Sequence, residues 1–158
     1  MDAGKVKGLG VVSIASGAKL GTIDDVLFDV RGLRLGGLMV KSGDQQAVVP
    51  LDQVKSIGGD AVTILSDTSA QWGQAGTPLS TLPRLSDMQK LKVVDEAGTL
   101  LGTVKDIEIM PDDGRIAALT VHKGGVLGIG GDTVTIRGAE ITSVGDEVIV
   151  VPVREATA

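Results

Sequence analysis

His122 is the one imidazole in the chain, and there is no cysteine. A zinc set of imidazoles and thiolates has nothing to build from, and Ser-His-Asp catalysis would rest on a single ring at the end of the apolar run Ala117 to Val121. A solvated residue at a strand end is the expected role. Asp25 and Asp106 stand in matching contexts and could act as a coupled carboxylate pair if they faced each other. The plainer expectation is structural, because a carboxylate beside a Leu-Gly turn accepts backbone N–H groups from it. Asp112 and Asp113 beside Gly114 lack the alternating ligands and distant bidentate Glu of a calcium loop, so they read as a hairpin turn. Gly124, Gly125, Gly128, Gly130 and Gly131 form a glycine-rich loop without the Lys-Ser/Thr pair or following helix that a phosphate cradle needs. It reads as a flexible loop suited to partner contact. No catalytic residue, cofactor site or metal site emerges.

The elements that carry these residues occur twice. A shift of 81 positions lays Leu20-Gly21-Thr22-Ile23-Asp24-Asp25-Val26 on Leu101-Gly102-Thr103-Val104-Lys105-Asp106-Ile107. The same shift keeps Arg34–Val40 in step with Arg115–Val121, and it aligns Lys41 with His122. After a Gly-rich insertion, Val54-Lys55-Ser56-Ile57-Gly58 realigns with Ile141-Thr142-Ser143-Val144-Gly145. The expected organisation is a first domain at 1–66, an ordered linker at 67–88 holding Trp72, and a second domain at 89–158. Copies this small sit near the lower limit for a self-sufficient core, so they are expected to support each other.

Within each copy the period is that of strands: Val26, Phe28 and Val30 alternate with Leu27 and Asp29, and Ile107 and Ile109 with Asp106 and Glu108. One buried face is expected. Pro111-Asp112-Asp113-Gly114 predicts a tight turn between strands, with Arg31-Gly32-Leu33 doing the same in the first copy. Short strands joined by hairpins are best closed into a small barrel, because closure removes sheet edges. The expected fold class is all-β: two small β-barrels in tandem.

Composition narrows the function classes. A net charge of −5 opposes nucleic-acid backbones, and one Trp with one Phe gives no stacking platform. Direct nucleic-acid binding is not expected. No stretch approaches the roughly 20 apolar residues of a membrane span, and no signal-peptide core follows Met1, so a soluble, cytoplasmic chain without membrane insertion is expected.

Gly17-Ala18-Lys19-Leu20-Gly21-Thr22-Ile23-Asp24-Asp25-Val26 and Gly98-Thr99-Leu100-Leu101-Gly102-Thr103-Val104-Lys105-Asp106-Ile107 resemble the opening hairpin of the PRC-barrel family. Ala47-Val48-Val49-Pro50-Leu51 resembles its later hydrophobic-Pro strand, and Gly124 to Asp132 its Gly-rich turn; Arg137 departs from the pattern where proline is expected. The family includes the barrel of photosynthetic reaction-centre H subunits and of RimM-type ribosome maturation factors. The resemblance implies a six-stranded barrel used for docking, with no catalytic residue and no cofactor. The expectation is a non-enzymatic protein–protein interaction or scaffolding module, with a protein partner of unknown identity or a homo-oligomer. Gly21, Asp25, Gly102 and Asp106 are its structural turn candidates. A ribosome- or RNA-associated assembly factor and a soluble accessory subunit of a membrane complex are the alternatives.

Overall fold

The structure, a computed structural model, describes residues 1–73, 81–123 and 132–153. The first copy runs α1 (Ala3–Val6), β1 (Gly10–Ser13), β2 (Lys19–Asp29), β3 (Arg34–Ser42), β4 (Gln45–Pro50), β5 (Val54–Ile57) and β6 (Ala61–Ile64), followed by β7 (Gln71–Trp72). The second runs α2 (Leu85–Met88), β8 (Lys92–Asp95), β9 (Leu100–Ile109), β10 (Ile116–His122), β11 (Thr133–Arg137), β12 (Ser143–Val144) and β13 (Val148–Val151). The fold is all-β, with two barrel-like sheets.

The ladder orders are β5-β6-β1-β2-β3-β4-β7 and β12-β13-β8-β9-β10-β11, so the two copies share one topology, with β7 found among the described residues of the first alone. In each copy the two end strands of the shared ladder follow one another in the chain. A three-residue 3₁₀ turn, Leu51–Gln53, joins β4 to β5, and its counterpart Gly138–Glu140 leads from β11 towards β12. A connection this short can bridge ladder ends only if the sheet curls until they meet, so the chain itself closes each barrel.

Arg137 keeps the register despite replacing proline. Gly37 pairs with Pro50, and Ala118, 81 positions after Gly37, pairs with Arg137. Proline brings no N–H to this strand end; arginine does, and Glu140 Oε2 accepts it at 3.3 Å.

The interior is aliphatic around Phe28, and one continuous cluster takes buried side chains from both copies, among them Val26, Leu38, Leu85, Ile107, Leu119 and Ile149. The alternation in β9 is as expected, with Ile107 and Ile109 buried and Glu108 exposed. In β2 it fails at Leu27, which is fully buried on the opposite face. There it meets Met39 and Val48, with Leu82 packed over them. Gly36 leaves room for that leucine, since a Cβ at this position would collide with Leu82 Cδ1. The first sheet is thus covered on two faces where its repeat exposes Glu108.

Residues 67–88, read as a linker, hold the 3₁₀ turn Asp67–Ser69, β7 and α2. Trp72 is half-buried against the core, and β7 extends the first sheet by pairing Ala47 with Trp72. Among the described residues no helix is long and apolar enough to cross a membrane.

Candidate interaction site

The two copies hold each other by exchanging their leading segments. Residues 1–6 leave the first barrel and lie along β9 of the second. The Ile109 N–H donates to Met1 O at 2.8 Å, Asp2 bridges Glu108, and Ala3 and Val6 are fully buried. Residues 83–88 do the same on β2 of the first barrel. The Phe28 N–H donates to Pro83 O at 2.8 Å, Arg84 bridges Leu27, and Leu85 and Met88 are buried. Each segment then returns to its own barrel, where Leu9 O accepts Ile23 N–H at 2.8 Å and Leu91 O accepts Val104 N–H at 3.0 Å.

The aspartates sit where these segments land. A β-bulge between Ile23 and Asp25, matched by one between Val104 and Asp106, re-aims the strand at that point. Asp25 Oδ1 accepts the N–H of Val26 at 2.8 Å, and Asp106 Oδ1 that of Ile107 at 2.7 Å. The remaining capacity is given across the barrels. Ser86 Oγ donates to Asp25 Oδ2 at 2.9 Å, and the Gly4 N–H donates to Asp106 Oδ1 at 3.0 Å. Lys7 Nζ stands 3.8 Å from Asp25 Oδ2. Each carboxylate is a socket for the other copy's one-turn helix, and the bonds they make are to these donors.

The hairpin tips form a second contact. Arg34 bridges Arg115 in antiparallel fashion, flanked by Leu35 N–H to Gly114 O at 2.7 Å and Ile116 N–H to Leu33 O at 2.8 Å. Bonds placed on either side of a residue pair mark the closer, non-hydrogen-bonded kind, which brings two like charges together where the hairpin tips meet. Asp113 offsets them through a 2.7 Å ion pair with Arg115 Nε. The Arg115 backbone N–H, followed by the charges of Arg115 and Arg34, holds the Asp113 carboxyl below its ordinary 3.8. A depressed carboxylate contributes stability above its unfolded value and loses it as pH falls through the folded one. Acidification below about pH 4 should therefore weaken the tip contact. Asp113→Asn should remove a small part of the acid-side fall in melting temperature, as a pH series on both proteins would show.

The turns at these tips differ in how they reach the left-handed region. Gly114 has φ +76°, and its counterpart Leu33 holds φ +51°. A Cβ at 114 would come 3.0 Å from Leu51 Cδ2 and 3.2 Å from Leu35 Cβ. Gly114→Ala should cost about 1–2 kcal/mol from backbone conformation and crowding together, measurable by urea unfolding.

The other sequence-derived residues are placed as follows. Gly21 and Gly102 lie inside β2 and β9, which corrects their reading as turn residues. They admit a neighbouring strand, since a Cβ would collide with the carbonyl oxygen of Lys41 or of His122. Asp25 and Asp106 likewise serve no Leu-Gly turn, because the donors they bind are the next residue, the opposite copy and, for Asp25, the Lys7 ammonium. His122 is an exposed strand end paired with Thr103 and Thr133. The loop residues Gly124, Gly125, Gly128, Gly130 and Gly131 lie outside the described residues. Among the described residues no group of three or more His, Asp and Glu side chains is arranged to hold a metal.

An open groove of about 610 Å³ runs beside Trp72, lined by Lys41, Asp44, Gln46 and Val48. Two of its polar side chains are already engaged: Lys41 Nζ lies 3.6 Å from Asp24 Oδ1, and Gln46 Nε2 donates to Asp24 Oδ2 at 3.4 Å. Ser86, Gly4 and the two arginines are contact residues that sequence reasoning missed. The available signal was the apolar pair Ala3/Val6 recurring as Leu85/Met88, 82 positions on.

A family model described as PRC-barrel domain matches residues 1–71 and again residues 83–157. No curated protein matches the chain.

Proposed function

Since this chain belongs to the PRC-barrel domain family, with the domain present twice, we propose that it is a non-enzymatic scaffold that presents two barrels to protein partners as one body. PRC-barrel domains are protein-interaction modules, and the finer role rests on the reciprocal docking of residues 1–6 and 83–88. This exchange spends the socket carboxylates on holding the copies together and leaves the outer surfaces of both barrels for binding. Its bulged aspartates are bound by backbone, hydroxyl and ammonium donors, so they support assembly rather than proton transfer. The cysteine-free composition and acidic charge suit a cytoplasmic partner that is itself a protein.

Crosslinking in cells, purification of the crosslinked complexes and mass spectrometry with and without nuclease test this reading. Reproducible protein crosslinks that survive nuclease are the expected result. Crosslinks lost with nuclease, or carried solely by ribosomal proteins, would favour the ribosome-associated alternative. Recovery of the chain alone would contradict the scaffold.

A further inference from the structure

The two sockets are not equivalent, and the difference lies in one residue of each incoming segment. Ser86 sends a hydroxyl 2.9 Å to Oδ2 of Asp25, a residue only 4% exposed. Gly4, the matching residue of the other segment, has no side chain and brings its own N–H to Asp106. A Cβ on Gly4 would stand 2.8 Å from Asp106 Oδ2, so a serine here could seat only if that carboxylate turned, disturbing the bonds it accepts from Gly4 and Ile107 N–H.

We propose that residues 4 and 86, with the carboxylates they meet, form a recognition code by which one repeat selects an unlike repeat as its partner. The surface of the first barrel fits a repeat whose leading segment carries serine, and that of the second fits one whose segment carries glycine. The inference rests on the two-barrel unit described above and says what chooses its pairing.

Each like pairing meets its own obstacle. Two second halves would press Ser86 on Asp106 twice. Two first halves would set Gly4 on Asp25 twice, leaving a buried carboxylate oxygen without its hydroxyl donor at each site. The arginine contact does not add to the obstacle for second halves, since each Arg115 carries its own Asp113 ion pair. Ser86→Gly should therefore work as a switch: it weakens the unlike pair at Asp25 and clears both sockets of a second-half pair.

The test uses the full chain with a protease site substituted into residues 74–80, cleaved after folding. Native mass spectrometry then separates the three pairings, since the halves differ in mass. Left to exchange after cleavage, the parent protein should hold unlike pairs outnumbering like pairs by roughly tenfold or more, against one to one for random pairing, the scale set by lost charge-assisted hydrogen bonds. Cleaved Ser86→Gly should show second-half pairs increased several-fold. Unlike and like pairs in random proportion, or a Ser86→Gly distribution identical to the parent, would overturn the code while leaving the two-barrel unit intact. Separation of the cleaved parent into single halves would overturn that unit and the code with it.

Discussion

Gly102→Ala should lower stability by about 3 kcal/mol or more, a loss of roughly 10 °C in melting temperature for a chain of this size. Two effects add. Gly102 holds φ +148°, a conformation L side chains rarely adopt, and its Cβ would collide with the His122 carbonyl oxygen and lie 2.8 Å from Val121 Cγ1. The obstacle cannot rotate away. His122 is fixed between two strands, paired with Thr103 on one side and Thr133 on the other. A new methyl must therefore displace a ladder rather than a side chain. Gly21 meets the same obstacle at the Lys41 carbonyl oxygen without a positive φ, so Gly21→Ala should cost less. Thermal unfolding of both variants ranks them; equal melting temperatures for Gly102→Ala and the parent would refute the close-approach account.

Asp25→Ala should cost about 2–4 kcal/mol, because it strips an acceptor from three donors at once. The Val26 N–H is buried, the Ser86 hydroxyl loses its 2.9 Å partner, and Lys7 loses the charge it faces at 3.8 Å. Asp25→Asn keeps an oxygen for Val26 and a polar group for Ser86, so it should recover about half of the loss. Asp106→Ala should cost less than Asp25→Ala, since Asp106 is only half-buried and its cross-barrel partner is a single N–H. Were Asp25→Ala as stable as the parent, the sockets would not hold the barrels together.

The features readable in the sequence are those that recur at a constant offset. Leu-Gly-Thr, the shared Asp and the Pro111–Gly114 turn fall in step at 81 positions, Arg137 follows Pro50 by 87 after the Gly-rich insertion, and the strands pair accordingly. The role of Gly102 was hidden because its constraint is non-local: the carbonyl that excludes a side chain belongs to a residue 20 positions on, at His122. Of the bonds that Asp25 and Asp106 accept, only the one from the next N–H is local. Their cross-barrel donors come from segments with no shared identity, Met1–Val6 and Pro83–Met88, in which only the burial of the third and sixth residues repeats. The connection from β1 to β2 is one residue longer than that from β8 to β9, which shifts the offset from 81 to 82 before it. An ungapped comparison therefore lost the leading segments. Leu27 escaped for a similar reason, since Leu82 lies far along the chain and covers a face that Glu108 leaves open in the other copy.

Two barrels that form one cooperative body must unfold together, and the chain carries a natural probe for each: its only tryptophan lies in β7 of the first sheet and its only histidine in β10 of the second. Urea unfolding followed by Trp72 fluorescence and by the His122 ring proton in NMR measures both barrels in one sample. Coincident midpoints, moving together when Gly102→Ala strains the second barrel alone, are the predicted result. Two separate midpoints, with the Trp72 transition unmoved by that substitution, would contradict it.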